Sequence, residues 1–81
     1  MYFVYLLECT DGSIYTGITT DIQRRLKEHK AGTASRYTRS RGASKMLYTE
    51  KKKSRSAALK REAEIKRWPR AKKRELIQSR I

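Results

Sequence analysis

The run Tyr2-Phe-Val-Tyr-Leu-Leu7 is apolar at both parities. Side chains of a strand point alternately to opposite faces, so a strand with no polar parity must be covered on both sides. That requirement decides most of what an 81-residue chain can become. Protein has to lie against each face of a small sheet, and a single domain over residues 1–81 is predicted. Thr10-Asp11-Gly12 signals a turn, and Ser13-Ile-Tyr-Thr-Gly-Ile18 resumes with β-formers, so residues 2–18 read as a hairpin with its first strand central. A loop of Asp11 and Gly12 alone would send Tyr5 and Tyr15 to opposite faces. A Thr10-Asp11-Gly12 loop with a left-handed Gly12 pairs Cys9 with Ser13 and Leu7 with Tyr15, and places both tyrosines on one face.

Thr19 or Thr20 is placed to cap a helix over about 21–31, with Asp21 in its first turn and Gly32 just past its end. Thr33 to Ser44 mixes Gly, Ser and Thr with Arg36, Arg39 and Arg41 and reads as a basic loop around Tyr37. A short third strand follows over 45–50. Ser54 or Ser56 caps a helix to about Arg67, Trp68-Pro69 ends it, and Pro69 opens a last helix to about Ser79. The order is ββαβαα, an α+β fold.

Twenty-one Lys and Arg stand against eight Asp and Glu, a net charge of +13. Residues 1–20 carry −2, residues 21–50 carry +5 and residues 51–81 carry +10. A body with that excess calls for a polyanionic partner, nucleic acid ahead of an anionic membrane surface. Cys9 is the single cysteine, which excludes an intrachain disulfide and a paired-cysteine zinc site and fits a reducing, cytoplasmic setting. The apolar start has no basic region before it and runs into Glu8, so it is not an export signal. No membrane role is expected.

Two helices carry polar residues where an amphipathic pattern asks for apolar ones. The stripe from Ile22 contains Arg25, Leu26 and His29, and Glu62 lies three residues from both Leu59 and Ile65 on the stripe marked by Ala58, Leu59 and Ile65. A buried charge has to be paired or to serve chemistry. Arg25 and Glu62 can form a buried salt bridge, Glu62 can pair with Lys66, and His29 can be a hydrogen-bonded core residue. The alternative is phosphodiester chemistry, which needs a charge clamp, a proton acceptor and a metal ligand.

Val4-Tyr5-Leu6, then Tyr15-Thr16-Gly17, then Arg25, His29 and an Arg61-Glu62 pair on a later helix resemble the GIY-YIG nucleases, from Tyr2 to about Ile77. The pattern is most similar to small stand-alone bacterial members and to the nuclease domain of structure-specific junction endonucleases. The resemblance implies a three-stranded antiparallel sheet flanked by helices. It implies that Tyr5 and Tyr15 are the tyrosines of the two half-motifs, and that Arg25 stabilises phosphate. Glu62 becomes the single metal ligand, His29 takes part in proton handling, and Gly17 lets a substrate backbone approach the sheet. Phe3 stands where the family has glycine, Thr16 where it has isoleucine, and Ile18 where excision-repair members carry a lysine that helps activate their tyrosine.

The expected chemistry is hydrolysis of DNA, as in repair, directed by shape rather than sequence, with one Mg²⁺ or Mn²⁺ at Glu62. Tyr15, Tyr5 or His29 serves as general base. Arg36, Arg39, Arg41, Lys51, Lys52 and Lys53 hold phosphates without reading bases. Tyr37 either stacks on an unpaired base or packs on arginine stems. Trp68 reads as core. The chain is expected to be a monomer, with specificity drawn from a partner protein if from anywhere. The other reading is a nucleic-acid-binding module, for DNA or RNA, whose inherited site is weak or silent.

Overall fold

A computed structural model describes residues 1–79; the last two positions of the expected domain, 80 and 81, lie outside the described residues. The chain runs β1 (Tyr2–Cys9), β2 (Ile14–Thr19), α1 (Ile22–Ala31), α2 (Arg36–Arg41), β3 (Ala43–Lys52), α3 (Arg55–Lys66) and α4 (Arg70–Gln78). The sheet is antiparallel in the order β2-β1-β3, so the strand apolar at both parities is the central one. Leu6 and Leu7, neighbours pointing to opposite faces, are both fully buried. On one face Val4, Leu6 and Ile14 pack with Ala58 and Ile65 of α3, and Trp68, Leu76 and Ile77 close around them. On the other face Tyr5 meets His29 of α1.

The hairpin closes as the three-residue loop requires. The Cys9 amide donates to the Ser13 carbonyl at 2.8 Å, the Gly12 amide donates to the Cys9 carbonyl at 2.9 Å, and Gly12 sits at φ +85°. Leu7 lies opposite Tyr15 and Tyr5 opposite Gly17, so the two tyrosines share a face.

Three expectations need correction. The segment read as a basic loop contains α2, because Ser35 caps it: its Oγ accepts the Thr38 amide at 3.2 Å, and Thr38 is fully buried. Gly, Ser and Thr make a segment look irregular, but one serine three residues before a threonine that finds a buried site is enough to nucleate a turn of helix. The third strand also extends to Ala43–Lys52, beyond 45–50 at both ends. Leu59, expected on the buried stripe, is 37% exposed, because the buried line of α3 runs through Ala58 and Ile65 and Leu59 lies about 100° around the helix from Ala58. A smaller difference is that Asp21 is itself the cap of α1, its Oδ1 accepting the Arg24 amide at 3.0 Å.

Candidate active site

Gly17 is where the site is made possible. A Cβ there would stand 2.5 Å from Tyr5 Oη and 3.0 Å from a ring carbon of Tyr15, so the Tyr5 phenol lies across the bare glycine. Gly17 is buried on edge strand β2 and clears room for the Tyr5 phenol on its inner face. Tyr5 Oη and His29 Nε2 are 2.7 Å apart, and His29 Nδ1 is 2.7 Å from Thr38 Oγ1. Thr38 Oγ1 is also 3.0 Å from Ser35 Oγ and 3.4 Å from the Ser35 carbonyl, so both ring nitrogens of His29 have hydroxyl partners and the Thr38 hydroxyl has further ones. Tyr5, His29, Thr38 and Ser35 therefore form one continuous hydrogen-bonded chain.

Burial pushes the Tyr5 phenol well above the usual tyrosine range, with Tyr15 and Glu62 adding to the rise and Arg25 opposing it. Burial lowers the His29 imidazole, Arg25 lowers it further, and Glu28 pulls the other way. A protonated phenol and a neutral imidazole are thus held together in the protein interior. Tyr15 stacks at the rim of this pair, its ring 5.2 Å from His29 and 6.3 Å from Tyr5.

Arg25 and Glu62 both act electrostatically on the Tyr5 phenol, although they come from helices on opposite sides of the sheet. They do not form the buried ion pair considered above. Arg25 Nη1 pairs with Glu28 Oε1 at 3.4 Å and Glu62 Oε2 with Lys66 Nζ at 3.5 Å, each within its own helix. Arg25 Nε is buried with no hydrogen-bond partner, an unspent donor beside the site. Among the described residues no three His, Cys, Asp or Glu side chains gather as a metal cage. One partly exposed carboxylate is nevertheless a donor set that suits a hard divalent cation keeping most of its waters, so Glu62 fits a Mg²⁺ or Mn²⁺ of that kind.

Beside Tyr15 opens a cleft of about 340 Å³ along the outer edge of β2, lined by Ile14, Tyr15, Thr16, Tyr37, Lys66 and Lys73. Two helices bring its lysines. α4 is moored to the hairpin by Arg70, which donates to the Gly12 carbonyl at 2.6 Å, and by Arg74, 3.7 Å from Glu8. Burial lowers the Lys73 ammonium below the usual lysine range, and Lys66 lowers it further.

The expected phosphate-binding residues fall into separate groups. Arg36 and Arg39 are exposed and line a hollow of about 510 Å³ at the turn between α1 and α2. Lys51 and Lys53 are exposed and make no ion pair among the described residues. Arg41 and Lys52 are engaged internally: Arg41 pairs with Asp11 at 3.0 Å and covers the Tyr37 ring at 4.3 Å, and Lys52 pairs with Glu50 at 3.0 Å. Tyr37 does pack on an arginine, yet it is also 5.6 Å from Tyr15 and partly exposed.

Residues 1–75 match the GIY-YIG catalytic domain. The chain belongs to the GIY-YIG family, which is a family of nucleases. It is 48% identical over 77 residues to a UPF0213 protein of the archaeon Haloquadratum walsbyi, covering 95% of this chain and 86% of the relative. It is 43% identical over 79 residues to a UPF0213 protein of Staphylococcus aureus, covering 98% and 96%. The solution structure of the UPF0213 protein BH0048 from Bacillus halodurans is similar at a TM-score of 0.61 and 44% identity, over 96% of this chain and 84% of that one. GIY-YIG nucleases generally use divalent metals, which is the chemistry the Glu62 carboxylate suits. No helix among the described residues is long and apolar enough to cross a membrane.

Within this GIY-YIG site, sequence reasoning missed Thr38, Thr16, Lys66 and Lys73. Ser35 was legible as a residue type that caps helices, but Thr38 carried no signal of its own. Lys66 and Lys73 stand on either side of Pro69, Lys66 at the end of α3 and Lys73 on α4, and only the return of α4 onto the hairpin brings the second to the cleft beside Tyr15.

Proposed function

We propose that this chain is a divalent-metal-dependent endonuclease that hydrolyses phosphodiester bonds in DNA and selects its substrate by shape. The observation that carries the reading is the Tyr5–His29 hydrogen bond packed against Tyr15, with the charges of Arg25, whose buried Nε has no partner, and of Glu62, whose ion pair is with Lys66, both acting on the Tyr5 phenol. Arg25 faces the non-bridging oxygens of the scissile phosphate and stabilises the charge that builds there. Glu62 would hold Mg²⁺ or Mn²⁺, which when bound supplies Lewis acidity and stabilises the departing oxygen. Tyr15 is the phenol that reaches the cleft; it orients the attacking water, and as the phenolate, its own proton first released to solvent beside the cleft's lysines, it accepts the water's proton. Tyr5 has its own hydroxyl committed to His29 and acts as the rigid backing of Tyr15, and Thr38 holds the other ring nitrogen of His29. Arg36, Arg39, Lys51 and Lys53 supply phosphate contacts that position DNA without reading its bases. A chain so basic works as a monomer in the cytoplasm, on nucleic acid rather than on a membrane.

The test is incubation with branched and linear DNAs, with and without Mg²⁺ or Mn²⁺, beside Glu62→Ala. Cleavage of branched DNA that needs the metal and disappears in Glu62→Ala is expected. A Glu62→Ala variant that cuts as well as the parent removes Glu62 from the mechanism. Salt-sensitive binding with no cleavage under any metal makes the chain a binding module instead, a reading that the charge of +13 serves equally well.

A further inference from the structure

We propose that the cleft at the edge of β2 receives one unpaired nucleotide of the DNA strand, its base against Tyr37 and Tyr15 and its phosphate between Lys66 and Lys73. This rests on the nuclease reading and deepens it, because it states what shape of DNA the site selects.

The cleft's walls divide by chemistry. Tyr15 and Tyr37 form an aromatic side, the rings 5.6 Å apart, and Tyr37 is held in place by the Arg41 guanidinium 4.3 Å from its centre. Opposite them, α3 and α4 contribute two ammonium groups. Lys66 has one carboxylate partner, Glu62 at 3.5 Å, and Lys73 has no ion pair among the described residues. Two cations line a common space that no acid lines, and of the two Lys66 alone has a carboxylate partner among the described residues, which leaves room for an anion. Thr16 then supplies the third component. Its side chain lines the cleft, the residue is 2% exposed, and its Oγ1 is buried with no hydrogen-bond partner. A buried hydroxyl left unspent is paired when a ligand arrives that donates or accepts there. A base edge or a sugar does either.

Size and sequence tolerance agree. A volume of about 340 Å³ lies at the small end of ligand clefts, enough for one nucleotide unit and not for a stretch of duplex. Every base has a π-face, so stacking on tyrosine admits all of them, as a nuclease without a groove-reading element requires. A base in a duplex must be pulled out of its stack to enter, whereas one at a flap, gap or bulge enters without that cost.

The experiment uses the whole chain in buffer containing a chelator, so that binding is read without cleavage. The probes are a fully paired DNA duplex and the same duplex carrying one extra, unpaired fluorescent adenine analogue. The bulged probe is expected to bind about tenfold more tightly, with quenching of the analogue as it stacks. Tyr37→Leu and Lys73→Met are each expected to abolish the tenfold preference while affinity for the paired duplex falls by about threefold at most. Thr16→Val serves as a variant that folds without difficulty: it lowers the preference while the melting temperature holds or rises, since the hydroxyl has no partner to lose. Equal affinity for the two probes overturns the proposal, as does a preference that survives both Tyr37→Leu and Lys73→Met. Binding of inorganic phosphate that competes with both probes alike would mean a simple anion site and would also overturn it. Because nothing is cut in this assay, a chain that shows the preference and never cleaves refutes only the nuclease reading, and one that cleaves without the preference refutes only this one.

Discussion

Gly17→Ala adds one methyl group at the centre of the site, and its cost follows from distances. The new carbon would lie 2.5 Å from Tyr5 Oη, 2.7 Å from the ring carbon that bears it and 3.0 Å from Tyr15. None of these is an ordinary contact, and Tyr5 is a buried ring on a central strand, unable to swing into solvent. Displacing it costs about 1–3 kcal/mol as overpacking. The displaced hydroxyl leaves His29 Nε2, now 2.7 Å away, without its partner, for roughly another 1–3 kcal/mol. Alanine's better strand propensity returns less than about 1 kcal/mol. A net loss near 3 kcal/mol corresponds to a fall in melting temperature of about 12–24 °C for a domain of this size. Circular dichroism melts of Gly17→Ala, Tyr5→Leu and the double variant measure it. Once the phenol is gone only the 3.0 Å approach to Tyr15 remains, so the double variant is expected to melt a little below Tyr5→Leu alone, a coupling of about 2 kcal/mol. A Gly17→Ala single variant that melts with the parent refutes the steric argument. Additive losses in the double variant refute the assignment of the clash to Tyr5.

The acid limb of stability is expected to report His29. Its pKa is lowered in the fold, so below about 6.5 the unfolded chain takes up a proton that the folded chain refuses, and stability present above that pH is lost as the pH falls, by at most about 1.4 kcal/mol per pH unit. His29 is the only histidine, so His29→Gln should flatten the melting temperature between neutral and mildly acid pH, and a slope that survives assigns the effect elsewhere. Thr38→Val leaves Nδ1 of a buried imidazole unpaired and is expected to destabilise by about 1–3 kcal/mol while also lowering cleavage, whereas Thr38→Ser should restore both; equal melting of Thr38→Val and parent would remove Thr38 from the relay. Affinity for duplex DNA is expected to fall steeply with salt, and Arg36→Ala or Arg39→Ala should reduce the slope by about one each across all sequences, as titration by fluorescence anisotropy would show. Arg41→Ala should instead lower the melting temperature through Asp11 and Tyr37 and leave the slope unchanged, so an altered slope would return Arg41 to the DNA-contacting set.

The sheet was legible because its signals are local. A run apolar at both parities, a turn with one glycine at the left-handed position and a second β-rich run specify the hairpin register, and the register alone places Tyr5, Tyr15 and Gly17 on one face. The stripe of α1 likewise pointed His29 inward, where it is buried. Thr38 escaped notice because a helix of six residues carries too little periodicity to stand out from a loop. What Arg41 and Lys52 do could not be read either. A basic residue looks the same in sequence whether it faces DNA or pairs with Asp11 or Glu50. Nor could the Tyr5 phenol over Gly17 be read, since a bare backbone position does not declare which side chain stands above it.

The hairpin also sets an order of assembly. Tyr5 and Tyr15 are ten positions apart along the chain, and hairpins of this kind close in about 1–10 μs. Their pairing draws on contacts of short sequence separation and commits little loop entropy. Glu62 and Lys73 reach the same place only after β3 has paired on the far side of β1 and α4 has been moored to the turn. Contact separation alone therefore leads us to expect Tyr5 and Tyr15 to come together before Glu62 and Lys73 join them. Under the proposed mechanism, a nascent chain still lacking its final helices has the tyrosines but not Glu62, and cleavage would begin only when folding is complete.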